Sequence, residues 1–287
     1  MKPVAILPAL CTLGNAFCGF LAVAKGADAI SLLWRAPTPP SPEILAEFHH
    51  HFAISCWLIF LANVFDALDG RLARMTKATS EFGAMLDSLC DLLTFGAAPA
   101  FLVKFLFESE RLMAEQPFRP KFVLLMCFLY VSCAALRLAR FTAETEDDAD
   151  AHDFFRGLPS PAAAGFVAAF ILLYLDVSAP DAPAWVAERR GLFLNGLLFC
   201  LPLLALAMVS RIKYVHVVNR FMRGRHPHTY IAQIVFAILL LSLIPEYAIA
   251  LVSIGYVFAC PLISLLEKLL KRPLWPRPAA PAESEAP

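Results

Sequence analysis

Four aspartates, Asp66, Asp69, Asp87 and Asp91, fall within "DALDGRLARMTKATSEFGAMLDSLCD", residues 66–91, between two strongly apolar stretches. On a helix, positions three and four apart share a face. Asn63, Asp66, Asp69, Gly70 and Ala73 therefore form one stripe, and Gly83, Asp87 and Asp91 form a second. The connection "RMTKATSEF" is short, so the two helices are antiparallel neighbours and the stripes can face each other. An aspartate at the centre of a bilayer costs roughly 2.5–3.5 kcal/mol, so four cost on the order of 10 kcal/mol before their mutual repulsion, and less near the interface. Arg71 and Arg74 cannot neutralise four clustered carboxylates. Divalent cations can, and all-oxygen ligation suits Mg²⁺, Mn²⁺ or Ca²⁺. Gly70 and Gly83 are expensive in helix interiors, at about 1 kcal/mol each relative to alanine. Beside the carboxylates they leave room for a bulky ligand. Metal ions, small residues and a nearby arginine together suit a diphosphate, which two metals can bridge during a displacement.

The elements that must hold these residues are membrane helices. The chain has 287 residues, of which 59% are hydrophobic and only 17% charged, too apolar for an ordinary soluble domain. A spanning helix needs about 20 mostly apolar residues. The pattern recurs near 4–31, 50–73, 83–107, 121–142, 160–177, 191–211, 229–244 and 246–268. The fold class expected is all-α, a polytopic membrane helix bundle of about eight transmembrane helices. Only "LIPEY" separates the last two, which form either a tight hairpin or one broken element. With eight spans, 16 of the 24 Lys and Arg residues share the side of the two termini, which the positive-inside rule makes cytoplasmic. The aspartates face that side.

The expected organisation is one membrane domain, 1–271, and a Pro/Ala-rich, disordered cytoplasmic tail, 272–287. "LWRAPTPPSPEILAEF" (33–48) and "FESERLMAEQPFRP" (107–120) read as external loops. The first apolar run is read as a retained span, because its basic flank is a single lysine and polar residues interrupt it. Net charge is zero, so nothing points to nucleic acid as a partner. The eight cysteines are scattered without a CxxC pair and read as small core residues.

The spacing Asp66-x2-Asp69-Gly70-x2-Ala73-Arg74-x8-Gly83-x3-Asp87-x3-Asp91 matches the signature of the CDP-alcohol phosphatidyltransferases, and the chain resembles that family. "LPALCTLGNAFCGFLAV", "LRLARF" and "FRGLPSPAAA" further resemble its membrane-integral, serine-using branch in bacteria and archaea. Thr142 departs from the pattern, standing where asparagine is expected after "RLARF". The resemblance implies transfer of a phosphatidyl group from CDP-diacylglycerol to L-serine, with release of CMP. It implies Asp66, Asp69 and Asp87 as ligands of two Mg²⁺ or Mn²⁺ ions. Asp91 is implied as the general base, within reach of the metal as a fourth ligand. Gly70, Ala73, Arg74 and Gly83 would shape the nucleotide and diphosphate pocket, with Thr12, Asn15 and Asn63 as polar contacts to the CDP-diacylglycerol. A homodimer in the bacterial inner membrane, with its site facing the cytoplasm, is also implied.

Several residues keep two readings. Arg137 and Arg140 share a face of the fourth span; they are either positive flanking charge or an anion site for an acceptor carboxylate or a phosphate. Phe155 to Pro161 is a rigid loop leading into the fifth span; it is either a helix start, with Ser160 as its cap and Pro161 in the first turn, or, as the resemblance implies, a wall of the acceptor pocket. Lys213 either snorkels to headgroups or reaches a phosphate. Glycerol 3-phosphate and inositol stand as other acceptors. A cation transporter is the reading from another class, although transporter carboxylates usually lie at mid-depth.

Overall fold

A computed structural model describes residues 6–75, 81–113, 119–144, 154–179, 183, 188–210, 212–215 and 245–270. Its elements are α1 (Ile6–Arg35), α2 (Pro42–Met75), α3 (Glu81–Asp91), a π-helical segment (Leu92–Ala97), α4 (Ala98–Met113), α5 (Pro120–Glu144), β1 (Phe154–Arg156), α6 (Ser160–Val177), α7 (Arg190–Val209), β2 (Lys213–Val215) and α8 (Pro245–Leu270). Seven helices among the described residues are long and apolar enough to cross a bilayer, one of them the continuous run Glu81–Met113. The molecule is an all-α polytopic bundle, as expected. The expected span 229–244 and the tail 272–287 lie outside the described residues.

In α1, mostly small residues face inward and large ones face outward, as membrane helices often pack. The buried stripe of α1 is Thr12, Asn15, Cys18, Gly19, Ala22, Gly26, Ala29 and Leu33. Its exposed face carries Leu10, Leu13, Phe17 and Phe20. Glycine is required where α1 meets the third span. A Cβ on Gly19 would stand 2.4 Å from Thr94 Oγ1 and 2.8 Å from Thr94 Cα. The most enclosed helix is α6, buried on nearly every side against α2, α7 and α8. A helix apolar all round belongs in such a place.

Helices bordering both expected external loops run beyond their expected limits. Residues 42–48 are helical, so the external loop after α1 is shorter than 33–48. Pro42 has the fixed φ that suits a first helical position, and Ser41 Oγ accepts the Ile44 N–H at 3.4 Å. The third span runs on to Met113 rather than 107, carried through Glu108 by its contacts to Lys104 and Arg111.

Two further features bear on the site. The π segment follows Asp91 directly, and such segments recur at functional sites. Tyr130 Oη donates to Phe95 O at 3.0 Å and Thr94 Oγ1 donates to Asn15 O at 3.1 Å, fastening it to α5 and α1. The loop before α6 is clipped into a two-stranded antiparallel ladder, with Phe154 opposite Val215, Phe155 opposite Tyr214 and Arg156 opposite Lys213. Gly157 closes the clip at φ +86°, its N–H donating to Ile212 O at 2.8 Å. A Cβ there would fall 2.3 Å from Met208 O, so only glycine fits.

Candidate active site

The last turns of α2 carry Asp66 and Asp69, and the middle of α3 carries Asp87. One carboxylate oxygen from each lies within 4.8 Å of the others. Asp69 is buried, and Asp66 and Asp87 are half-buried. Asp69 Oδ2 and Asp87 Oδ1 are buried without a hydrogen-bond partner among the described residues. None of the ion pairs among the described residues reaches the three. Buried, unpartnered carboxylate oxygens are costly unless something positive sits between them. Hard oxygen donors converging at this separation suit a divalent cation, so the cluster could hold a metal ion.

Asp91 stands apart from this group. It lies one turn further along α3, is buried, and accepts a hydrogen bond from Asn15 Nδ2 at 2.9 Å. The charges of Asp66, Asp87 and Asp69 still act on it. Thr12, one turn before Asn15, sits beside Asp69 while its hydroxyl donates to Pro8 O at 3.1 Å. Asn63 turns its amide back on its own helix, donating to Ile59 O at 3.1 Å. Gly70 opens onto free space, since a Cβ there would meet nothing within 4 Å. Ala73 and Gly83 are half-buried, one near the end of α2 and the other near the start of α3. Arg74 lies in the last turn of α2, one residue before its end.

Of the two arginines on α5, Arg137 is the one shown close to the acids. Its Nη1 donates to Ser160 Oγ at 2.6 Å, and its charge acts on Asp91 and Asp66. Its Nε is buried without a partner among the described residues. Arg140, half-buried, lies one turn further on. Ser160 was expected to cap α6, but its hydroxyl makes no cap bond and instead accepts from Arg137. The cap position falls to Pro159, whose backbone accepts the Ala163 N–H at 3.0 Å. Lys213 takes the register position opposite Arg156.

Three participants escaped the sequence reading. Thr94 and Tyr130 secure the π segment, and no composition signal marks them. Ser88, next to Asp87, shares a 3.0 Å hydrogen bond with Thr142. The one departure from the motif thus ties α5 to the helix that carries Asp87.

Residues 5–194 match the CDP-alcohol phosphatidyltransferase family. Among curated relatives, the CDP-diacylglycerol–serine O-phosphatidyltransferase of Helicobacter pylori is 33% identical over 170 residues, 58% of this chain and 62% of that protein. The protein of the same name from Methanocaldococcus jannaschii is 34% identical over 163 residues, 57% and 64% respectively. The archaetidylserine synthase of Methanothermobacter thermautotrophicus is 36% identical over 141 residues, 48% and 55%. The matched segments span less than two thirds of each of these relatives. The family match covers about two thirds of the present chain and includes all four aspartates: the chain belongs to the CDP-alcohol phosphatidyltransferase family.

Proposed function

We propose that this protein transfers the phosphatidyl group of CDP-diacylglycerol to the hydroxyl of L-serine, releasing CMP at the cytoplasmic face of a bacterial inner membrane. The observation that carries the reading is the separation of four acids into a convergent trio with unpartnered oxygens and a fourth held aside by an amide. The names of the relatives support serine as the acceptor. Asp66, Asp69 and Asp87 would hold the metal, Mg²⁺ or Mn²⁺ as two ions. When bound, the metal draws charge from the diphosphate and eases departure of CMP.

The chain's own residues account for the rest. The serine Oγ forms a bond to the phosphorus nearer the diacylglycerol, and the bond from that phosphorus to the CMP oxygen breaks. Asp91 accepts the proton that the serine hydroxyl loses. Arg137 lies between Asp91 and the α6 start, where a guanidinium can take the serine carboxylate. Gly70, with free space over its Cα, leaves the diphosphate an approach between Ala73 and Gly83. Thr12 and Asn63 line the same end of the bundle, Arg74 stands in the last turn of α2, and Arg140 continues the basic face of α5.

A phosphorylated acceptor such as glycerol 3-phosphate is the second reading, favoured by the ladder that sets Arg156 opposite Lys213. The test is purified protein with CDP-diacylglycerol, Mg²⁺ or Mn²⁺, and each acceptor in turn, following CMP release. CMP release that needs both serine and metal is expected. Equal or faster release with glycerol 3-phosphate or inositol overturns the acceptor. Cation flux in proteoliposomes without CMP release overturns the enzyme.

A further inference from the structure

Asn15 is fully buried, and it holds the third span at two points. Its side-chain Nδ2 donates to Asp91 Oδ1 at 2.9 Å, and its backbone carbonyl accepts from Thr94 Oγ1 at 3.1 Å. Thr94 belongs to the π segment, three residues beyond Asp91. One turn further along α1, Gly19 lets the two helices close onto Thr94. Asn15 therefore grips both the Asp91 carboxylate and the backbone that carries it.

The residue type is informative. Asn15 Oδ1 is buried without a partner among the described residues, which is unfavourable. A leucine would fill the same space without stranding an oxygen. The donor is what the position retains. It is also a neutral donor: a lysine or arginine here would pair with the carboxylate and spend its charge. An amide fixes the group in place without an ion pair.

We propose that Asn15 is a positioning residue that tethers one oxygen of Asp91, keeps this carboxylate out of the metal-holding trio, and presents its other oxygen to the acceptor hydroxyl. The inference rests on Asp91 acting as the base. It differs from a nucleotide contact, the role that the family resemblance gives Asn15.

The test compares Asn15→Ala, Asp91→Asn and the double variant, each for kcat, KM for serine, affinity for CDP-diacylglycerol with Mn²⁺, and Mn²⁺ affinity by electron paramagnetic resonance. Asn15→Ala should lower kcat about 10–100-fold, as loss of an orienting partner typically does. It should leave CDP-diacylglycerol affinity at the wild-type level. In the double variant the losses should not multiply, because one residue acts through the other. Asn15→Leu keeps the volume and serves if the alanine variant fails to fold. Asn15→Gln keeps a donor and should recover part of the lost turnover. Weakened CDP-diacylglycerol binding with kcat retained would overturn the proposal in favour of a nucleotide contact. Multiplying losses would overturn it too. If Asp91→Asn instead loses Mn²⁺ binding, the base assignment fails by itself; positioning then survives only if the coupling between the two residues appears in Mn²⁺ affinity.

Discussion

The two ends of one helix treat acids in opposite ways. Near the start of the continuous run Glu81–Met113, Asp87 joins Asp66 and Asp69 with buried oxygens unpartnered and no ion pair among the described residues. Twenty-one residues on, about 30 Å at the helical rise, Glu108 is bracketed by Lys104 Nζ at 3.0 Å and by the Arg111 guanidinium. Glu108 receives its counter-charge from its own helix, at the i−4 and i+3 positions where such pairs meet. Asp87 receives none among the described residues. Glu108 is neutralised locally, whereas the trio that holds Asp87 could take a cation from outside.

The contrast can be broken by substitution. The largest effect is expected for Asp66→Asn, which should abolish turnover together with Mn²⁺ and CDP-diacylglycerol binding. Asp91→Asn should cost roughly 10²–10⁴ in kcat, the usual worth of a general base, while CDP-diacylglycerol still binds. Parallel binding and rate measurements decide it; equal loss of binding in both variants would make Asp91 chiefly a metal ligand. Arg137→Lys comes next. A point charge replaces a fork already committed on one side to Ser160, so KM for serine should rise about 10-fold, in line with roughly 1.5 kcal/mol for a charged hydrogen bond. An unchanged KM would return Arg137 to the role of flanking charge. Glu108→Gln should do least. It should lower stability in a detergent melt by up to about 1 kcal/mol and leave kcat untouched; a loss of turnover there would erase the distinction between the two ends.

The aspartate trio was legible because helical period and a short connection suffice to bring Asp66, Asp69 and Asp87 together. The spans were legible because a bilayer demands long apolar helices. What escaped depends on contacts between distant residues. Asn15 and Asp91 are 76 positions apart, and nothing local to "TLGNAF" distinguishes an amide facing a nucleotide from one facing a carboxylate. Ser160 preceding Pro161 carries the sequence signs of a cap, yet a neighbouring helix offers its hydroxyl an arginine. The π segment has no residue signature, since its geometry comes from packing against Asn15, Gly19 and Tyr130. Strands of three residues are too short to show alternation, so β1 and β2 read as loop.

The ladder has a consequence for exchanging parts between relatives. The family match ends at residue 194, between its two strands: Phe154–Arg156 lies inside the matched region and Lys213–Val215 lies outside. A chimera that swapped only the matched region would import one half of a zipper and keep the other from its host. Gly157, folded under the Met208 and Ser210 carbonyls, would then meet a chain that had not evolved to cover it. The ladder of this protein is thus transplantable only with both halves, and the natural cut lies beyond Val215.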